Sequence, residues 1–421
     1  MLWMVTACGD NVSSAPGAPD APSQKVTIST TTAPSLIAFR DGVDAPWQTP
    51  VATEVGHYVI EVHGPYIVEV VCTGVDFVAI RKIARTPDDP RDLEMPCSFA
   101  PSPPPGSHVT GTMVQRGSVA VGTAYAFHVE SNGQFDLAPG DGIFDLIART
   151  SSFSGSGDSI AIRRDLTVAG PTMVTPPIDV VKEGARLVLL PLTVTNLLPG
   201  EMVQTGAGLA TRSTSGATYF YGNYPQAAVI APSAILLPTD NQYISVIASR
   251  DPDYRVYRTV RRTFVSGDST MFTLPPALDS LHFAVADDQL VATWSTLPAY
   301  DTLEVEAGHF PDDGTTTIDH FAQISAAYVA ATGIASVVLD TDIPGYSLAW
   351  HIDFTKQYVR GSTTIKRGTE FAVSHMEEDV NGPSPVPAAV SPPGMGVDSL
   401  QAILRRNVPS VAGAQPRMMR W

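Results

Sequence analysis

Five side chains able to bind a metal ion lie close together in the segment GHFPDDGTTTIDHF, near residue 310. They are His309, Asp312, Asp313, Asp319 and His320. Imidazole nitrogens and carboxylate oxygens coordinate zinc or calcium when the fold brings them together. Their spacing fits no standard metal-binding template, so we expect a solvated loop here and predict no metal. A secreted metal-dependent hydrolase that uses this loop is the alternative.

Three tyrosines stand close together in the segment TYFYGNYPQ, residues 218–226. Strand alternation places Tyr219 and Tyr221 on one face, with Tyr224 just past a Gly-Asn turn. Exposed tyrosines of this kind stack on sugar rings or anchor a protein interface, whereas half-buried tyrosines only complete a core. The segment therefore gives a second alternative, a glycan-binding module.

Sequence motifs of catalysis and of cofactor binding are missing from the chain. It contains no G-x-S-x-G nucleophile elbow, no His-Glu-x-x-His, no phosphate-binding loop and no G-x-G-x-x-G. The nearest string, SGSGDS at residues 154–159, has the wrong spacing and is typical of a turn. We therefore predict no catalytic residue, no cofactor and no enzymatic activity.

The charge of the chain excludes nucleic acid as a partner. The formal net charge is −16, whereas nucleic-acid binding needs a concentrated basic surface. The one basic concentration before the C-terminal region is RVYRTVRR, with Arg255, Arg258, Arg261 and Arg262. We expect these arginines to pair with carboxylates of the chain itself. Docking of an anionic surface polymer is the alternative.

The N-terminal region resembles the signal of a bacterial lipoprotein. Val5 to Cys8, VTAC, is similar to a lipobox, and residues 9–24 form a Gly/Ser/Pro/Asp tether without periodicity. The resemblance implies a lipid on Cys8, attachment to a membrane, and a place in the bacterial cell envelope, at the outer membrane or cell surface. Only seven residues precede Cys8 and none is basic, whereas a signal peptide has a charged start and a longer apolar core. Either the signal is truncated or the apolar start is not a signal.

The two other cysteines, Cys72 and Cys97, are 25 residues apart. No further ligand and no C-x-x-C motif accompanies them, so a disulfide fits better than zinc. The alternative is two separate buried thiols in a reducing compartment.

Short alternating runs, rich in β-branched residues and bounded by Gly, Asp or Pro, predict an all-β chain of tandem β-sandwich modules. Asn132-Gly133 and the glycines near residue 141 lie between such runs, as in hairpins. Composition divides the chain into a signal and tether at 1–24, modules at 25–100, 108–182, 183–273 and 274–375, and a mostly disordered Pro-rich tail at 376–421. Within the tail, residues 397–406 are the one helical candidate.

Three stretches resemble known modules. SLIAFRDGVDAPWQ, together with Cys72 and Cys97, looks like the first module of uncharacterised bacterial surface lipoproteins. TGTMVQ followed by GQFDLAPGDGIFDLIA, Gly133–Ala148, resembles the carboxypeptidase regulatory-like fold, an ordinarily non-catalytic sandwich. LVATWSTLP, Leu290–Pro298, is similar to the second strand of fibronectin type III domains, which implies that Trp294 is a core residue.

Together these observations predict a non-catalytic lipoprotein that acts outside the cytoplasm as a structural or binding protein. Its expected partners are a membrane, through the lipid on Cys8, and a surface protein or polysaccharide. The metal-dependent hydrolase and the glycan-binding module are the two alternatives.

Overall fold

In a computed structural model the regular secondary structure of the described residues is nearly all β-strand, so the predicted all-β fold class is confirmed. The structure describes residues 23–74, 77–95, 97, 106–150, 158–214, 218–222, 227–250, 255–265, 267–286, 289–309, 317–339, 343–347, 358–367 and 370–378. Cys8, residues 9–22 of the predicted tether, the helical candidate and all but the start of the predicted tail lie outside these ranges and stay predictions, whereas Gln24 is already part of a strand.

The first segment contributes strands to two sheets. The strands are β1 (Gln24–Ser29), β2 (Leu36–Asp41), β3 (Val51–Glu54), β4 (His57–Val62), β5 (Tyr66–Thr73), β6 (Phe77–Arg85) and β7 (Asp92–Glu94). A four-stranded sheet has the order β3-β4-β1-β7. In β1, Val26 and Ile28 are buried and Lys25 and Thr27 are exposed, as the sequence alternation predicts.

The second segment forms two small sheets. Its elements are β8 (His108–Met113), β9 (Gly117–Val121), β10 (Ala124–Val129), β11 (Gly133–Leu137), β12 (Gly142–Thr150), β13 (Ser159–Val168), β14 (Thr172–Val174), helix α1 (Val180–Glu183) and β15 (Ala185–Arg186). The sheet orders are β10-β9-β12-β13-β15 and β11-β8-β14.

The predicted turns at Asn132 and Gly140 do form, with φ of 54° and 82°. The expectation that they close hairpins is wrong, because β11 lies between them and belongs to a different sheet from both β10 and β12. Asn and Gly favour a chain reversal through their tolerance of positive φ, but they do not determine which strands pair.

The third segment adds β16 (Val188–Pro191), β17 (Thr193–Thr195), β18 (Met202–Ala210), β19 (Thr218–Gly222), β20 (Ala227–Ile230), β21 (Asn241–Ser249), β22 (Val256–Phe264) and β23 (Met271–Thr273). The fourth segment adds β24 (Leu281–Ala286), β25 (Gln289–Trp294), β26 (Thr302–His309), β27 (Thr317–Ser325), helix α2 (Ala326–Thr332), β28 (Ser336–Val338), β29 (Tyr358–Arg367) and β30 (Glu370–Glu378). Neither helix in the described ranges is long and apolar enough to cross a bilayer.

One eleven-stranded sheet runs through three of the four segments. Its order is β19-β18-β21-β22-β30-β29-β26-β27-β6-β5-β2. The antiparallel pair of β22 and β30 joins the third and fourth segments, and the parallel pair of β27 and β6 joins the fourth to the first. The predicted module boundaries stay a prediction, because strand pairing does not measure whether each module folds alone.

The large sheet has two different faces. Directly paired residues share a face and successive residues alternate, and no register shift interrupts the ladder from β18 to β6. We call the face that carries Val260 and Leu303 the packed face, and the opposite face, which carries Thr259 and Asp319, the polar face.

The packed face is covered by two apolar cores. At one end, Val246, Val260 and neighbouring residues pack against β20 and Phe272. Further along, Leu303, Val305 and Ala322 are among the residues that pack with β24 and β25, including Trp294. Trp294 is 7% exposed, so its predicted place in a core is confirmed.

Apolar packing also covers the polar face where β5 and β6 run. There Val68, Val70 and Cys72 pack against β1 and β4. Cys72 and Cys97 are joined by a disulfide with Cα atoms 5.1 Å apart, and both are buried. The predicted disulfide is confirmed.

An arginine clamp joins the second segment to the third. Arg164 on β13 donates to Asp145 on β12 at 2.9 Å and to Asp240, just before β21, at 2.6 Å. Burial raises the pKa of Asp145, but hydrogen bonds from Asp165, Thr211 and Arg164 outweigh it and hold the pKa below its usual value. We call Arg164, Asp145 and Asp240 the Arg164 clamp.

Candidate functional site

The structure does not bring the predicted metal ligands together. Asp312 and Asp313 lie outside the described residues, and His309 ends β26. Asp319 and His320 are consecutive residues inside β27, so their side chains point to opposite faces of the sheet. The expected solvated loop is wrong for these two residues, because both are buried strand residues.

Asp319 and His320 each have a partner within the chain. Arg81 donates to Asp319 Oδ2 at 2.8 Å. His320 is fully buried on the packed face, where its Nδ1 lies 3.1 Å from the carbonyl oxygen of Leu339. Across the described ranges, no three His, Cys, Asp or Glu side chains form a group that could hold a metal.

The tyrosine segment lies at the edge of the large sheet. Tyr219 and Tyr221 are on β19, where they pair with Gly208 and Gly206 of β18. Both glycines occupy positions on the polar face, so Tyr219 and Tyr221 do so as well. The predicted strand and the predicted shared face of the two tyrosines therefore agree with the strand pairing. Tyr224 lies outside the described residues.

The basic strand divides its arginines between the two faces. Arg258, on the packed face, forms a buried ion pair with Glu201 and donates to the carbonyl of Asn196 at 2.8 Å. Burial raises the pKa of Glu201, but the hydrogen bonds from Arg258 and Leu198 outweigh it and lower the pKa. The expectation of internal carboxylate partners therefore holds for Arg258.

Arg261 and Arg262, the other two arginines of β22, contact aromatic rings, and Arg255 lies just before this strand. The guanidinium of Arg262 lies 4.4 Å from the ring centroid of Phe272, and that of Arg261 lies 3.6 Å from the ring centroid of Tyr243. Guanidinium groups are attracted to aromatic faces at these distances. These contacts leave the positive charge of both guanidinium groups in place, so docking of an anionic surface polymer stays a prediction.

Charged and amide side chains cross the polar face from β6 to β29. Arg360 pairs with Glu306 on the adjacent strand, with Nε at 2.8 Å from Oε2. Gln323 donates to Glu304 Oε1 at 3.0 Å. Burial raises the pKa of the Glu304 carboxyl, and burial also raises that of Asp319 despite the nearby Arg81.

Aromatic side chains continue the polar face across β30, β22 and β21. The rings of Tyr257 and His375 stack with centroids 4.5 Å apart. The ring of Tyr243 lies across Gly208, where an added Cβ would come within 2.1 Å of Tyr243 Cζ. Only glycine at position 208 leaves room for this ring.

Two hydroxyl groups lie between these larger side chains. Thr259 stands between Tyr257 and Arg261 on β22, and Ser245 pairs directly with Arg261 across the ladder. Both residues are 2% exposed, and within the described part of the chain neither Ser245 Oγ nor Thr259 Oγ1 has a hydrogen-bond partner. In native proteins the large majority of buried polar atoms have a hydrogen-bond partner, so these two oxygens are exceptions.

Sequence reasoning missed Ser245, Thr259 and Tyr243, although each lies in a run whose alternation is visible. YISVIAS and RVYRTVRR both predict strands, and period-two alternation assigns their residues to two faces. Which residues face each other follows only from the ladder register. No family model matches the chain, and no curated protein matches it either.

Proposed function

We propose that the chain is a non-catalytic lipoprotein that acts outside the cytoplasm, at the bacterial cell surface, as a structural or binding protein. The observation that carries this proposal is the buried disulfide between Cys72 and Cys97. Disulfides persist in oxidising compartments and are rare in the cytoplasm. The lipid on Cys8 follows from the resemblance of VTAC to a lipobox.

The shape of the large sheet supports a role as scaffold. Its strands come from three segments of the chain, and two apolar cores cover its packed face. Interstrand hydrogen bonds and burial of both cores resist relative movement of these segments. Such a sheet holds the residues of three segments in a fixed geometry, as a scaffold requires.

The hydrolase alternative has no support from the geometry. Asp319 is held by Arg81 on one face, while His320 contacts a backbone carbonyl on the other. The glycan alternative gains support, because Tyr219 and Tyr221 occupy positions in the row of the polar face. We therefore keep glycan binding as the second candidate function.

A fatty-acid labelling experiment tests the lipoprotein proposal. The chain is expressed in a bacterial host with the coding DNA upstream of Met1 and a tagged fatty acid, beside its Cys8→Ala variant. We expect label on the parent and none on the variant. Absence of label from both would contradict the lipid anchor.

A thiol-labelling experiment tests the compartment separately. Cells that express the Cys8→Ala chain are treated with a maleimide under denaturing conditions, with and without a reductant. We expect label at Cys72 and Cys97 only after reduction. Label at both residues without reduction would place the chain in a reducing compartment and contradict the proposal.

A further inference from the structure

The packed face holds a pair of buried, opposite charges on two strands of the first segment. Glu69 on β5 pairs directly with Lys82 on β6, and Lys82 Nζ lies 3.5 Å from Glu69 Oε2. The side chain of Glu69 is fully buried and that of Lys82 is 10% exposed. Alanines stand on both sides of the pair, because Ala38 pairs with Glu69 and Ala322 pairs with Lys82. The amine and the carboxyl group therefore face each other with little access to water.

A backbone carbonyl holds the amine in place. Lys82 Nζ donates to the carbonyl oxygen of Val338, the last residue of β28, at 2.8 Å. The amine thus lies between β28 and the carboxyl group of Glu69. Two groups that a fold holds close together react as if each were present at a very high concentration.

The four-stranded sheet carries a matching pair that is exposed. Lys25 on β1 pairs directly with Glu61 on β4, and Lys25 Nζ lies 3.8 Å from Glu61 Oε1. Their side chains are 75% and 58% exposed. Water hydrates both of these charges, so this pair is stable as two ions. The two pairs have the same residue types and the same strand geometry, and they differ in burial.

Burial makes two separate charges unfavourable at the first of these pairs. A distance of 3.5 Å is longer than a charge-assisted hydrogen bond, so the attraction between Lys82 and Glu69 offsets only part of their lost hydration. An amide bond between the side chains would remove both charges. We propose that Lys82 and Glu69 condense to an isopeptide bond, which links β5 to β6 through their side chains.

The condensation balances without an oxidant or a further reactant. A proton moves from the Lys82 ammonium to the Glu69 carboxylate, which gives a neutral amine and a neutral acid that an apolar site accommodates. The amine nitrogen attacks the carboxyl carbon and forms the N–C bond. A proton then moves from nitrogen to the departing hydroxyl group, the C–O bond breaks, and one water leaves. The amide retains one N–H, which still donates to the carbonyl of Val338.

Intact-mass spectrometry of the full chain tests the proposal. The Cys8→Ala chain is used so that no lipid alters the mass, and the disulfide is reduced before the measurement. We expect a mass one molecule of water below the mass of the sequence. The full sequence mass would overturn the proposal. Because this measurement does not involve the lipid, its failure is distinguishable from failure of the proposed function.

Peptide mapping locates the bond. Tandem mass spectra of a digest should contain a branched peptide that joins Lys82 to Glu69. Lys82→Met lacks the amine and should keep its full sequence mass, whereas the matched control Lys25→Met should lose one water as the parent does. Loss of water from Lys82→Met, or a branch at Lys25, would overturn the assignment. The branched peptide is read from the parent alone, so a variant that fails to fold leaves the test intact.

Discussion

Two buried arginine–carboxylate clusters in this molecule satisfy their polar atoms to different extents. In the Arg164 clamp, Asp145 Oδ2 accepts from Arg164 and Oδ1 accepts from the backbone N–H of Asp165. On the polar face, Asp319 Oδ2 accepts from Arg81, while its Oδ1 is buried without a partner in the described ranges. The pKa of Asp145 is lowered and that of Asp319 is raised.

The difference separates a fully paired buried ion pair from one that leaves a buried carboxylate oxygen without a hydrogen bond in the described ranges. A buried charge cluster stabilises a fold only when nearly every polar atom is paired. The Arg164 clamp meets this condition and joins two segments of the chain. The polar face does not, so its buried unpaired oxygens contribute no hydrogen bond to the stability of the fold.

Removal of the clamp arginine should have the largest effect on stability. Arg164→Ala leaves the buried Asp145 and Asp240 carboxylates without their cation, so we expect the free energy of unfolding in urea to fall by about 3 kcal/mol. The control is Arg163→Ala, whose partner Glu183 is one-third exposed, and it should cost about 1 kcal/mol. Equal losses in the two variants would contradict the structural role of the clamp.

Filling the space at Gly208 should disturb the polar face. In Gly208→Ala the new methyl group meets the Tyr243 ring, so the ring must move, at a cost of about 1 to 3 kcal/mol. Thermal unfolding measures this loss, with Gly64→Ala as control, because an added Cβ there meets no atom within 4 Å. A Gly208→Ala chain as stable as the parent would mean that the Tyr243 ring does not lie across the glycine.

The two clusters should respond to pH in opposite directions. Asp145 has a lowered pKa, so its stabilisation is present above its unfolded pKa and is lost as pH falls through the folded value. Asp319 has a raised pKa, so its stabilisation is present below its unfolded pKa, about 3.9, and is lost as pH rises through the folded value. Urea unfolding over a range of pH measures both effects.

The asparagine variants isolate each carboxyl in that experiment. The stability margin of the parent over Asp145→Asn should grow as pH rises, and its margin over Asp319→Asn should shrink. Margins that change in the same direction would show that the two clusters do not differ as described.

Two valine substitutions compare a buried hydroxyl that forms a hydrogen bond with one that has no partner in the described chain. Thr205→Val removes a hydroxyl that donates to a carbonyl, so the free energy of unfolding should fall by about 1 kcal/mol. Thr259→Val removes a buried hydroxyl without a partner in the described chain, so without ligand it should leave stability unchanged or raise it. A clear loss of stability in Thr259→Val would reveal a hydrogen bond within the protein.

Much of the fold follows from local sequence patterns. Alternation in QKVTIS predicts the buried Val26 and Ile28, and turn residues predict the reversals at Asn132 and Gly140. The pairing of β27 with β6 does not follow, because it joins residues more than two hundred positions apart. Local propensity carries no information on such a partner, which is fixed by packing of the whole chain.

The candidate site shows the same limit. The His and Asp residues near position 310 suggested a metal site by their type alone. Strand alternation, however, places the side chains of Asp319 and His320 on opposite faces of the sheet. Serine and threonine within apolar strands carry no chemical signal of their own. Ser245 and Thr259 become notable only when the register places them beside Arg261 and their burial is known.

The most direct test of the difference between the two clusters is the electron density around Asp145 and Asp319 in crystals of the chain. We expect both carboxylate oxygens of Asp145 to accept hydrogen bonds, and we expect no donor of the described residues within about 3 Å of Asp319 Oδ1. A protein donor within that distance of Asp319 Oδ1 would contradict the difference.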